Sequence, residues 1–123
     1  MGISNLSDHV VFVDLPSCEP YVVDELKELN EIITNRDNCD VIIDFSRVDI
    51  FLSSSLSNLL ILRDILHNHN HEMVLSNVAF ATRCIFTVAG LNEAFIFVED
   101  KFEALDALSA GASKKSLPSN EHL

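Results

Sequence analysis

The chain has 123 residues and a formal net charge of −11, from 19 Asp plus Glu against 8 Lys plus Arg, and 48% of it is hydrophobic. That length makes one domain, which removes about two thirds of its extended-chain surface from water on folding and so needs no disulfide or metal to hold it. The acidic balance opposes nucleic-acid backbones and anionic lipid, the composition excludes collagen-like and wholly disordered chains, and no apolar run approaches the ~20 residues of a membrane span.

His9 to Leu15 (HVVFVDL) is a β-branched and aromatic run closed by Pro16 and Pro20, which predicts a strand followed by a loop. From Val22 the period changes: Val22, Leu26, Leu29 and Ile33 recur every three or four residues among Asp24, Glu25, Lys27 and Glu28, an amphipathic helix ending near Asn35. Val41 to Ile43, closed by Asp44, is a short apolar run suited to a strand covered on both faces. Three serines then precede a leucine-rich stretch, which predicts a helix from about Ser54 to His67, because a serine hydroxyl can accept from first-turn amides. Met73 to Leu75 is the next strand, Ala79 to Ala89 a helix closed by Gly90, Ala94 to Val98 a strand and Phe102 to Leu108 the final helix. The alternation implies an α/β domain over residues 1–108, a parallel or mixed sheet of about four to five strands with helices packed on it. Residues 109–123 are small and polar and are expected to form a disordered tail.

Candidate chemistry is sparse. The serine triplet lacks a GxSxG setting and any nearby base, so a hydrolase is not supported. Two readings of Ser53 stay open, a plain helix cap and a modifiable hydroxyl whose phosphate the helix N-terminus would stabilise. His67, His69 and His71 alternate where a helix gives way to a strand, and they read as a polar connection rather than a metal site. Asp44 and Asp49 flank a turn at the strand edge where α/β sheets bind ligands, but no nucleophile, base and oxyanion set can be assembled, which argues against an enzyme. At 100° per residue, Leu56, Leu59 and Leu60 form one stripe of the long helix and Ile61, Leu62 and Ile65 a second. The second stripe either packs within its own helix layer or docks a partner. Cys18, Cys39 and Cys84 are odd in number and form no CxxC, and MGISNLSDHV has neither the basic nor the apolar region of a secretory signal, so reduced thiols in a cytoplasm are expected.

Taken together, VIIDFSRVDIF before the serines, HEMVLSNV after the long helix, and Gly90-Leu91 followed by AFIFV and the EAL of the last helix resemble a STAS domain of the bacterial anti-sigma-factor antagonist family over about residues 9–108. In that family the switch reads approximately DSSGL, and the serine after the aspartate is phosphorylated by a cognate anti-sigma factor that is itself a serine kinase. Aligned without gaps, Leu52 takes the aspartate position, Ser53 the phosphoacceptor, Ser54 the second serine, Ser55 the glycine and Leu56 the leucine. The family's GELD-like partner loop corresponds to Ser17-Cys18-Glu19-Pro20.

The resemblance implies a cytoplasmic, non-catalytic transcription regulator that works by partner switching, binding the kinase and being released once Ser53, or with less support Ser54, is phosphorylated. Its partner surface would comprise Cys18, Glu19, Leu52, Ser53, Ser54, Ser55, Ile61 and Ile65. The kinase, with its own ATP and Mg²⁺, and an opposing phosphatase are the implied partners, and a homodimer is a further option. No cofactor, metal, nucleic acid or membrane insertion belongs to the chain in this reading. The alternative is an unphosphorylated STAS scaffold in a larger sensory or transport assembly, favoured by Leu52 and Ser55. A nucleotide or lipid binder ranks third.

Overall fold

The apolar runs at 10–13, 41–43, 73–75 and 96–98 form strands, and the stretches of helical period between them form the crossover helices. The computed structural model describes residues 2–36 and 38–116, with side chains as far as Ser109. In chain order the elements are β1 (Ile3–Ser7), β2 (Val10–Asp14), α1 (Tyr21–Thr34), β3 (Asp40–Asp44), α2 (Ser53–Asn68), β4 (Met73–Ser76), α3 (Phe80–Val88), β5 (Ile96–Val98) and α4 (Lys101–Ser116). The sheet order is β1-β2-β3-β4-β5, antiparallel between β1 and β2 and parallel elsewhere. The domain is therefore α/β with a mixed five-stranded sheet, as the alternation predicts.

That strand order decides where the helices lie. Each parallel crossover advances by one strand in the same direction, and with right-handed connections all three crossover helices must fall on one face. Residues of α1, α2 and α3 accordingly share a core with Val11, Val13, Val41, Ile43 and Leu75. The helix after the last strand is bound by no crossover and closes the other face, where Ala104 and Leu108 of α4 cover Ile42 and Val74. Val41, Ile42 and Ile43 are all fully buried, because helices cover β3 on both sides.

Strand β1 was not expected. Its sequence, ISNLS, carries too few apolar residues to signal a strand, and it forms as an exposed edge by pairing with the backbone of β2. Gly2 leads into it: its carbonyl accepts from Asp14 N at 2.8 Å, and a Cβ there would lie 2.1 Å from the Asp14 carbonyl oxygen, so this crossing admits glycine alone. Gly90 takes φ +77° after α3, with Leu91 N donating to Phe86 O at 2.8 Å, the helix ending its position predicts.

Strand β5 begins at Ile96 rather than Ala94, since the Ala94 carbonyl is taken by Arg63 Nε at 2.7 Å and Phe95 turns into the core. Helix α4 begins at Lys101 and continues beyond the expected end at Leu108 to Ser116. Residues 117–123 of the expected tail lie outside the described residues. Among the described residues no helix is long and apolar enough to cross a membrane.

Candidate docking site

Two loops at the C-terminal edge of the parallel strands build the site. The β3–α2 loop folds over its own aromatics, with the Phe45 and Phe51 rings 5.3 Å apart and both buried. The amides of Asp49 and Ile50 both donate to the Ser17 carbonyl, at 2.8 and 3.2 Å, which stitches this loop to the β2–α1 loop. Asp44 braces the same edge: its Oδ1 accepts from Ser46 N at 2.8 Å and from Asn77 Nδ2 at 3.3 Å. This carboxylate serves the loops, while Asp49 is exposed.

The stitching sets where α2 starts. Leu52, extended at φ −103° and ψ 165°, occupies the N-cap, and its carbonyl accepts from the amides of Ser55 and Leu56 at 3.0 and 3.1 Å. No side chain caps the helix, so the cap reading of Ser53 is overturned: the chain turns one residue earlier, and Ser53 is the first helical residue. Ser53 and Ser54 are exposed. Ser55, two residues on from Ser53, is rotated about 200° around the axis and fully buried.

The Ser55 hydroxyl donates to Glu19 Oε2, and Glu19 Oε1 accepts from the Val23 amide at 3.0 Å in the first turn of α1. One carboxylate thereby joins the N-termini of both helices. The expectation that Ser55 forms partner surface is corrected, since Ser55 is fully buried with its hydroxyl on Glu19, while Glu19 itself is half-buried. Cys18 beside them is half-buried and a free thiol. Ser55→Ala should lower stability by about 1–3 kcal/mol by leaving the Glu19 oxygen without its donor. Ser53→Ala, at an exposed hydroxyl, should stay within about 0.5 kcal/mol. Urea unfolding of both variants checks this.

Just before the exposed serines in the chain stand two apolar side chains that periodicity passed over. Ile50 is 54% and Leu52 49% exposed. Large apolar groups left in water beside a helix start suit a protein contact. Ile50 sits between an acid and a buried phenylalanine in a loop, where no period marks it; a lone apolar residue in an otherwise polar turn was the available signal.

The stripes of α2 need redrawing. The buried set is Leu56, Leu59, Leu62 and Leu66, so Leu62 belongs to the core and Leu60 to its margin. Leu62 lies 60° from Leu59 whereas Leu60 lies 100° away, and the sheet selects the tighter arc. Ile61 remains exposed and Ile65 half-buried, and the two line a groove of about 330 Å³ with Asn30, Glu31, Thr34 and Asn35 of α1. The second stripe is thus a groove edge made of two isoleucines.

The imidazoles of the histidine run diverge, His67 Nε2 lying 3.6 Å from Glu72 Oε1 and His71 Nδ1 3.1 Å from Asp40 Oδ1. Among the described residues no three His, Cys, Asp or Glu side chains gather where they could hold a metal ion. A cleft of about 500 Å³ beside α1 is lined by Asp14, Asp24, Glu25 and Glu28 against Arg47, a charge balance that repels phosphate-bearing ligands.

A family model described as the STAS domain matches residues 20–105. No curated protein matches the chain by sequence. Among solved structures, a serine-to-glutamate variant of RsbS from Moorella thermoacetica is 19% identical, with 90% of this chain and 96% of that chain covered and a TM-score of 0.77. The anti-sigma factor antagonist SpoIIAA in its unphosphorylated form is 17% identical over 88% of this chain and 95% of that one, at a TM-score of 0.71. A sulfate transporter family protein from Wolinella succinogenes is 16% identical over 92% and 93%, at a TM-score of 0.66. Likeness at these identities is likeness of fold.

Proposed function

Since the chain belongs to the STAS domain family, we propose that it is a cytoplasmic regulatory binding domain of the anti-sigma-factor-antagonist kind, which docks a serine-kinase anti-sigma factor through the start of α2 and is released when Ser53 is phosphorylated. The observation that supports this reading best is the division of labour in the triplet. Ser55 is buried against Glu19, whereas the Ser53 hydroxyl is exposed on the first turn of a helix whose cap, Leu52, and neighbouring loop residue, Ile50, present apolar surface.

The mechanism is electrostatic. First-turn amides and the helix dipole stabilise a phosphate within this chain, so the fold accepts it. The same phosphate brings about two negative charges into an apolar contact, which opposes docking. ATP, Mg²⁺ and the phosphotransfer belong to the kinase, a phosphatase restores the hydroxyl, and this chain supplies acceptor and surface without catalysing a reaction. The groove edge at Ile61 and Ile65 extends the contact along α2.

A second reading, an unphosphorylated scaffold within a sensory or transport assembly, draws on Leu52 in the family's aspartate position and on the fold shared with a sulfate transporter family protein.

The test is incubation of the full chain with a candidate anti-sigma kinase and MgATP, followed by mass spectrometry that localises the phosphate. One phosphate on Ser53, none on Ser53→Ala, and at least tenfold weaker kinase binding by Ile61→Glu with an intact fold are expected, since Ile61 is 51% exposed. An unmodified chain whose kinase affinity is indifferent to Ile61→Glu would remove the switch and favour the scaffold.

A further inference from the structure

Helix α2 lacks the usual means of holding its own start. Its N-cap residue, Leu52, makes no side-chain cap bond, and its first turn contains no acid. Helix α1 likewise makes no side-chain cap bond at its N-cap, Pro20. What the two helices share is Glu19, from the loop before α1. Its Oε1 accepts from the Val23 amide at 3.0 Å, and its Oε2 accepts from the Ser55 hydroxyl at the third residue of α2. A carboxylate from outside α2 thereby stands where a cap or a first-turn acid would, a placement the helix dipole favours.

The turn so held is the one that carries the docking face. The Ser55 and Leu56 amides close on the Leu52 carbonyl at 3.0 and 3.1 Å, which winds Leu52, Ser53 and Ser54 into a single arrangement. Leu52 is about half exposed, and Ser53 and Ser54 are exposed, so their own packing does little to keep them there. Ahead of them the chain is fixed by Ser17, whose carbonyl takes the amides of Asp49 and Ile50, and by the buried Phe51 ring. Behind them the first anchor is Ser55, fully buried, with Glu19 as the partner of its hydroxyl.

We infer that Glu19 is a positioning residue for the docking site: acting through Ser55, it keeps the first turn of α2 wound in the free chain, so that Leu52 and Ser53 meet a partner already in place. The inference rests on the proposed docking of a kinase at that turn. A segment ordered beforehand adds no ordering cost to the complex. Without the Ser55–Glu19 contact, docking must first wind the turn, which weakens the bound substrate and the transition state alike and so raises KM while leaving kcat unchanged.

The experiment has two arms, both on the full chain as wild type, Ser55→Ala, Glu19→Ala, Glu19→Gln and the double alanine variant, at a temperature where all are folded. The first arm is native-state amide hydrogen exchange without any partner. The amides of positions 55 and 56 should exchange at least tenfold faster in both single alanine variants, while those of β3 keep the wild-type rate. Glu19→Gln, whose side-chain oxygen can still accept from Ser55, should recover part of the protection. The second arm is phosphorylation by the candidate anti-sigma kinase and MgATP. Each alanine variant should raise KM about tenfold at unchanged kcat, and the double variant should do no more than either single one, because the two side chains act as a unit. Unchanged exchange at positions 55 and 56 overturns the inference whatever a kinase does. Faster exchange with an unchanged KM overturns it as well, since the contact would then hold the fold without serving docking. A wild-type chain that the kinase neither binds nor modifies removes the docking reading and the inference with it, and the exchange arm, which needs no kinase, tells that failure from the other two.

Discussion

Phe86→Ala should lower the unfolding free energy by about 3–5 kcal/mol, a large part of the roughly 5–15 kcal/mol that holds a domain of this size together. Phe86 is fully buried, and its ring meets four others: Phe51 stacked at 5.8 Å, Phe45 at 6.5 Å, and Phe95 and Phe97 edge-on at 5.3 Å each. Those rings come from the loop before α2 and from β5 with its approach, so one side chain packs α3 against both. Truncation removes the transfer free energy of the ring and leaves a cavity walled by aromatics that cannot collapse without moving two separate segments. Urea unfolding followed by far-UV circular dichroism measures the loss. Phe80→Ala on the same helix, at 83% exposure, should change stability by no more than about 0.5 kcal/mol. Equal effects at the two positions would mean that α3 does not bury the face described.

If the chain docks a serine-kinase anti-sigma factor as proposed, Ser53→Asp should weaken that binding at least tenfold, about 1.4 kcal/mol, while leaving the fold intact. The helix N-terminus favours one added negative charge by about 0.3–1 kcal/mol, and Ser53 is exposed, so the free chain loses nothing. In the complex the carboxylate would lie beside Leu52 and Ile50, without water or a counter-ion, and an unpaired desolvated charge is strongly unfavourable. Ser53→Ala should bind as the wild type does. The same aspartate at Ser55 would set a second carboxylate against Glu19 in the interior and destabilise the free chain. Titration calorimetry with the kinase, paired with thermal unfolding of each variant, separates the two effects: position, rather than residue type, decides which one is seen.

The β/α alternation was legible because β2, β3 and β4 are short apolar runs set between segments of helical period, and the two periods do not resemble each other. Strand β1 was not, because an edge strand of ISNLS owes its conformation to the ladder β2 offers and little to its own side chains. The stripes of α2 show another limit. Leucine stands at 56, 59, 60, 62 and 66, so composition cannot say which arc turns inward; the sheet and α1 choose Leu62 over Leu60. In the serine triplet the residues are locally equivalent, and the difference among them comes from two long-range contacts. Ser17 O holds the preceding loop so that Leu52 becomes the cap, and Glu19, 36 residues from Ser55, claims that one hydroxyl. The assignment of each serine to solvent or interior required the fold.

The strand order also bears on how the molecule assembles in time. Every strand pairs with its neighbour in the sequence, so each βαβ unit can be laid beside the last without any strand entering between two already joined, and loop closures stay short. Helix α4 is the exception. Its contacts reach β3, β4 and β5, and Ala104 and Leu108 find Ile42 and Val74 only after those strands lie side by side. It is therefore the last element to dock and the first to leave, and in native-state hydrogen exchange its amides should open at a lower free energy than those of β3, ahead of global unfolding.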